Sequence, residues 1–395
     1  MLVGGRMRRI DIDVLRILLC GVIILVHALA IFAFEPHYHL KSATPSPAAS
    51  FLFDFLRAAA ISSWFVVAGW SAVASLRERS PGRFAKDRVT RLLVPLVFCI
   101  VIFGSIIKYI ELNDGRDMGF HGFREAESMQ GILQIDPPIY YFNFFPYNLT
   151  RMPLMTWSHL WFLAYLFLIS MMLLPLLVRL ARRVPKTEMP SAFWVYIPVM
   201  PMAALLVTFH GYWPYFPNLI MDWTNFSYFA LCFALGTGFA AWPGFEARLR
   251  AEAPRLLALM LVGFIGLVLF GESTPGRAFI ALIAWGGVGA GFGFMHRLNP
   301  ARTLASAYLS KATLPVYIIH HVPLLLISIL LLPLAVPGWL KIVAIWLVTM
   351  AISLAAYHCL IRPWAPARWV MGMAPIPPKA IPTTFEDPDA VPEMT

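Results

Sequence analysis

The sequence predicts an all-α, polytopic integral membrane protein: a bundle of about ten transmembrane helices. Of its 395 residues, 59% are hydrophobic and 13% charged, whereas a soluble domain carries about 45–50% apolar and about 25% charged residues. The charges collect in short islands, and the stretches between them reach the ~20 apolar residues that cross a ~30 Å hydrocarbon core. Only helices or closed barrels satisfy every backbone group in lipid. These runs are continuous and lack the ~10-residue alternating segments of a membrane barrel.

The expected spans are 14–34, 51–76, 91–111, 156–178, 191–209, 223–242, 256–271, 277–295, 312–334 and 339–360. In the first, Arg6, Arg8 and Arg9 precede an apolar run, and Ala28-Leu29-Ala30 mimics a signal-cleavage site. Asp13 and Arg16 nevertheless interrupt the place where a signal peptide needs an unbroken apolar core, so the segment reads as a retained helix. The span 191–209 contains Pro198 and Pro201, which neighbouring helices can accommodate. The segment 112–155 is the one long connection. It holds Glu111 at its start, Asp114, Asp117, Glu125, Glu127, Asp136 and the aromatic, proline-rich run from Pro137 to Tyr147. A loop this long is usually functional or disordered. Rings with carboxylates suit sugar faces equally as they suit an interfacial belt. The glycines from Gly286 to Gly293 allow close helix contacts, either inside one bundle or between copies in a homo-oligomer. Residues 1–362 therefore read as one transmembrane domain, and 363–395 as a proline-rich, disordered cytoplasmic tail.

The net charge of +10 does not call for a nucleic-acid partner, because Lys and Arg gather in the cytoplasmic loops of membrane proteins. With ten spans, the loops on the side of the termini hold 22 Lys and Arg against 7 on the other. That places both termini in the cytoplasm. The four cysteines, Cys20, Cys99, Cys232 and Cys359, fall within apolar runs at no metal-binding spacing and read as small hydrophobes.

Ionisable groups inside spans are costly and mark function by default. Arg16 and His27 lie eleven residues apart, which puts them about 20° from one helical face and roughly 16 Å apart along the axis. Asp13 is placed to pair with Arg16 at i, i+3. Arg88 and Arg91, one turn apart where the third helix begins, are either positive-inside charge or guanidinium forks for phosphate. Ser158-His159-Leu160-Trp161-Phe162-Leu163 opens the fourth span, and Tyr317-Ile318-Ile319-His320-His321-Val322-Pro323 lies in the ninth. The two adjacent histidines are expected to face different ways. No metal is expected, since no acidic ligand stands at a clear spacing.

Taken in order, Asp13-Val14-Leu15-Arg16, His27, Phe65-Val66-Val67-Ala68-Gly69-Trp70, Arg88-Val89-Thr90-Arg91 and Ser158 to Leu163 resemble the acyltransferase 3 family. The Tyr317 to His321 segment extends the likeness. The motifs are most similar to the branch associated with succinylating osmoregulated periplasmic glucans. Ala68-Gly69 stands where the family usually has Ser-Gly, and His-His-Val-Pro replaces His-His-Pro. The resemblance implies a bacterial inner-membrane enzyme with no permanently bound cofactor. Its donor substrate would be acyl-CoA, succinyl or acetyl, and its acceptor a periplasmic glycan. Arg88 and Arg91 would hold CoA phosphates, and Arg16 would line the channel. His27 would act as general base, with His159, Trp161, Tyr317, His320 and His321 binding substrate. The rival classes are a transporter and a non-catalytic partner of a glucan synthase, and consumption of acyl-CoA thioester separates them from the enzyme.

The charge asymmetry predicts that a reporter active only in the periplasm will be silent when fused after Thr395. Periplasmic activity at that position would reverse the orientation.

Overall fold

The computed structural model describes residues 9–35, 38–113, 157–211, 219, 222–271 and 273–374, and every regular element among them is helical. Six helices are long and apolar enough to cross a bilayer singly: α1 (Ile10–Phe32), α2 (Pro47–Leu76), α3 (Pro81–Glu111), α7 (Ala253–Phe270), α8 (Thr274–Leu298) and α10 (Gly338–Ile361). Two helix pairs are long and apolar enough when taken together but are bent, in the manner of a broken span or a re-entrant loop: α4 (Ser158–Met172 with Leu174–Arg182, 61°) and α9 (Leu304–Ile319 with His321–Leu331, 62°). After α6 (Trp223–Ala241) the chain turns 105° into Pro243–Ala251, and α5 (Phe193–Phe209) is a shorter apolar helix. The chain is thus an all-α polytopic bundle. The long connection lies outside the described residues from 114 to 156.

The helices run longer than hydropathy predicts, because their first turns are polar. α3 starts at Pro81 rather than 91: the Ser80 hydroxyl accepts the Arg83 N–H at 3.3 Å, and Pro81 occupies the first helical position. α9 starts at Leu304 rather than 312, where Thr303 and Ser306 form a reciprocal capping box with both bonds at 3.0 Å. Within α3, Pro95 has no N–H to give the Arg91 carbonyl. The turn before it widens into a π segment, Val89–Leu93, in which the Val94 N–H reaches back to Val89 O.

α1 lies at the centre, packed on α2, α8, α9 and α10. Its ends are fastened. At its N-terminal end Arg9 bonds Asp11 at 2.6 Å and Glu246, on the segment after α6, at 2.9 Å. At its C-terminal end the Lys41 ammonium donates to the Ala30 and Ala33 carbonyls at 2.5 and 2.6 Å, filling acceptors a helix C-terminus leaves open. The Gly286 to Gly293 run packs within the chain, against α7. A Cβ at Gly286 would lie 2.6 Å from Leu256 O, and one at Gly293 would lie 2.2 Å from the Ala253 Cβ. Residues 365–370 of the expected tail form a short helix. Trp369 sits against Phe98 of α3 at 5.8 Å, and Gly372, at φ +65°, passes so close to Arg91 that a Cβ would lie 2.8 Å from its carbonyl oxygen.

The tightest crossing is α2 on α6. A Cβ at Gly69 would sit 2.0 Å from Phe233 O, and one at Gly236 would sit 1.9 Å from Val66 O. Overpacking a core costs about 1–3 kcal/mol, and here the obstacle is backbone that cannot rotate away. Gly69→Ala and Gly236→Ala are therefore expected to lower the melting temperature of the detergent-purified protein. Gly238→Ala, with nothing within 4 Å of its Cβ, is expected to leave it unchanged or raise it. Three equal melting curves would show that the crossing is looser than this geometry.

Candidate active site

The site begins with a broken helix. Pro323 has no N–H for the Ile319 carbonyl, and its ring crowds that group. α9 bends by 62° between Ile319 and His321. The bend loosens the carbonyls before it, and histidines take them up. The His320 Nδ1–H donates to Tyr317 O at 2.6 Å, and the His159 Nε2–H, from the first turn of α4, donates to Ile318 O at 3.0 Å. In return the Tyr317 hydroxyl donates to His159 O at 2.5 Å. These bonds fix both tautomers, leaving the lone pairs on His320 Nε2 and His159 Nδ1.

Four imidazoles converge there. The His27 ring, on α1, lies 4.8 Å from His321, 5.2 Å from His320 and 6.2 Å from His159. The expectation that the adjacent histidines face apart is overturned, because the break falls between them and turns both onto His27. His159, His320 and His321 are buried, whereas His27 keeps part of its surface open. His159 Nδ1, His320 Nε2 and both nitrogens of His321 have no hydrogen-bond partner among the described residues. Each such orphan costs about 1–3 kcal/mol. Four at one point mark a place prepared for hydroxyl and carbonyl groups of a ligand.

The loop after α1 closes the rim at the C-terminal end of that helix. Tyr38 lies 6.0 Å from His27 and 5.6 Å from His321, and His39 lies 5.3 Å from His321. His39 Nδ1 bonds Glu111 Oε2 at 3.0 Å and His39 Nε2 meets Ser158 Oγ at 2.8 Å, while Lys108 donates to Glu111 Oε1 at 3.1 Å. Tyr38, His39 and Lys108 were not foreseen as site residues, and Glu111 was read only with the carboxylates of the long connection. Lys108 and Glu111 carry a legible signal, two opposite charges one turn apart within an expected span. Tyr38 and His39 lie in a connection with no periodicity to orient them.

Other expected residues fall elsewhere. Trp161 turns towards α6, stacked on Phe229 at 5.5 Å and edge-on to Tyr165 at 5.0 Å, away from the imidazoles. Towards the N-terminal end of α1, the Arg16 guanidinium lies 5.9 Å from the Trp64 ring and close enough to Arg88 for their charges to repel. Arg88 sits 4.7 Å over Phe84, and Arg91 is its other cationic neighbour, exposed in the π segment. Three guanidinium groups gathered in this way suit a polyanion bound between them.

The nitrogens of His27, His320 and His321 lie within 4.8 Å of one another, so a metal must be considered. Tetrahedral zinc with Zn–N near 2.0–2.1 Å would hold its nitrogens about 3.3 Å apart, closer than this spread. Metal-bound histidines also give their second nitrogen to a carbonyl or carboxylate. His320 does so, and His321 does not. The set fits proton transfer better than metal.

Taken together, imidazoles inside an apolar helix bundle, with guanidinium groups towards one end of α1 and a rim of Tyr38, His39, Ser158 and Glu111 towards the other, suit proton-coupled group transfer. The chain belongs to the acyltransferase family, whose acyltransferase domain matches residues 9–358. It is a membrane acyltransferase. No curated protein and no solved structure matches the chain.

Purified protein is accordingly expected to contain no stoichiometric zinc and to keep its activity in EDTA. One zinc per chain, with activity lost on its removal, would make the three histidines ligands.

Proposed function

We propose that the enzyme takes a succinyl or acetyl group from cytosolic acyl-CoA and places it on a hydroxyl of a periplasmic glycan, in the bacterial inner membrane. An osmoregulated glucan is the acceptor favoured by the sequence resemblance. One observation carries the reading: α1 bears His27 among the imidazoles and Arg16 beside Arg88 towards its inner end. The CoA phosphates are held by Arg88 and Arg91, and the pantetheine arm lies along α1 past Arg16. It spans the roughly 16 Å of helical rise to His27. The thioester then reaches the outer half of the membrane without its nucleotide leaving the cytoplasmic side.

His27 acts as general base on the acceptor hydroxyl. Its open surface admits the acceptor, and the surrounding rings exclude water that would hydrolyse the thioester. The lone pairs of His159 Nδ1 and His320 Nε2 accept neighbouring sugar hydroxyls, and Tyr317 supports them by holding the His159 backbone.

Glycan mass spectrometry, with thioester consumption by purified protein, tests both ends. His27→Asn and His27→Gln should insert normally, bind acyl-CoA and lose about 10²–10⁴-fold in rate. Arg88→Ala and Arg91→Ala should each lose a charge-assisted contact of about 1.5–3 kcal/mol, read as a KM for acyl-CoA raised roughly 10- to 150-fold. Lysine should restore part of the loss, lacking the fork. Normal glycan acylation by a well-expressed His27→Asn protein would remove His27 from the chemistry. Wild-type protein that leaves the thioester intact would point to transport.

A further inference from the structure

The geometry points to Ser158 as a nucleophile that carries the acyl group as an ester between donor and acceptor. This inference rests on the acyl-CoA reading above and adds a covalent step to it.

Ser158, His39 and Glu111 form a hydrogen-bonded row. His39 Nδ1 donates to Glu111 Oε2 at 3.0 Å, which leaves the lone pair on Nε2 facing Ser158 Oγ at 2.8 Å. A hydroxyl, an imidazole and an orienting carboxylate in that order are the parts of an activated serine. Lys108 holds the other oxygen of Glu111 at 3.1 Å. The His39 and Glu111 side chains are 16% and 11% exposed, so the row is nearly dry. A tether for the outer loop would need only one of these bonds, and would not explain the serine's backbone. Ser158 stands at φ +42°, a conformation costing a non-glycine residue on the order of 1–3 kcal/mol. Nucleophilic serines in other folds sit on such strained turns opening a helix. Ser158 likewise opens α4, whose positive dipole end lies beside the reacting carbonyl.

The location suits a relay. His39 lies 5.3 Å from His321, which lies 4.8 Å from His27. The residue after Ser158 is His159, whose ring is 6.2 Å from His27. The serine is therefore linked to His27 through His39 and His321, within one cluster of rings.

In the first step Ser158 Oγ attacks the thioester carbonyl and passes its proton to His39 Nε2. The C–S bond breaks and the CoA thiolate departs, to be protonated by water. The His39 imidazolium is held by Glu111. In the second step the acceptor hydroxyl attacks the Ser158 ester and gives its proton to His27. The bond from the acyl carbon to Oγ breaks, and Oγ recovers its proton from His39. His27 returns its proton to water. One thioester and one alcohol have become one ester and one thiol. The relay lets CoA leave before a bulky glycan enters, so the two large substrates never share the site.

The test uses full-length protein in detergent with radiolabelled succinyl-CoA or acetyl-CoA and no acceptor. Wild type should acquire a stoichiometric, hydroxylamine-sensitive label that peptide mass spectrometry places on Ser158, and should exchange free CoA into acyl-CoA. Ser158→Ala should lose the label, the exchange and glycan transfer together. Ser158→Cys should trap the acyl group as a thioester, which reads the position even if the alanine variant folds poorly. His39→Gln should slow labelling by about 10²–10⁴-fold. Transfer at the wild-type rate by Ser158→Ala, or turnover by a wild-type chain that never labels, would leave the acyltransferase intact and overturn the relay. A wild-type chain that consumes neither thioester would overturn both.

Discussion

In hydrocarbon a backbone carbonyl that loses its helical donor has no water to turn to, and leaving it bare costs several kcal/mol. Pro323 creates that situation in the middle of α9. Around the bend that results, side chains brace the two carbonyls just before it: His320 and His159 donate to those of Tyr317 and Ile318. Everything chemical about the site follows from these bonds. Each imidazole that spends one nitrogen on the backbone presents the other, with its lone pair, to the interior. The bend also decides direction, since an unbroken helix would turn His320 and His321 about 100° apart and only one could meet His27.

A site built from soft parts needs a hard frame. α1 supplies it, tied at its N-terminal end through Arg9 to Glu246 and at its C-terminal end through Lys41 to its own last carbonyls. The glycine contacts of α2 with α6 and of α7 with α8 leave backbone against backbone, where van der Waals packing rather than the hydrophobic effect holds helices together. α1 can then relate two distant places, the arginine mouth and the imidazole cluster, at a separation set by helical rise.

Most of the fold was legible because lipid imposes one rule on every span. What hydropathy lost were the ends, since Ser80-Pro81 and Thr303 to Ser306 are polar and a sliding window discards them, although both are capping signals. The imidazole site was half legible. His27, His159, Tyr317, His320 and His321 each stood out as polar groups in apolar runs, and the structure brings them together. Trp161 did not follow, because a helix register inferred without neighbours cannot tell which face meets α6. His39 and Tyr38 were invisible for a different reason. They come from a connection, and only the tertiary fold returns a connection to the mouth of the helix it follows.

The choice of histidine over carboxylate at the centre follows from the dielectric. An ionised Asp or Glu among these rings would pay a desolvation penalty of several kcal/mol unless paired, and a paired one would be a poor base. Neutral imidazoles carry no standing charge, yet each can take a proton for the moment of reaction. Glu111, the carboxylate that reaches the rim, has both oxygens engaged, one by Lys108 and one by His39. The permanent positive charges of Arg16, Arg88 and Arg91 are gathered beside the N-terminal part of α1, apart from the imidazoles. Charge that must persist is therefore kept where a polyanion could neutralise it. Charge that need only be transient is placed where nothing else could tolerate it. That division separates fixed positive charge at one end of α1 from proton-accepting rings at the other.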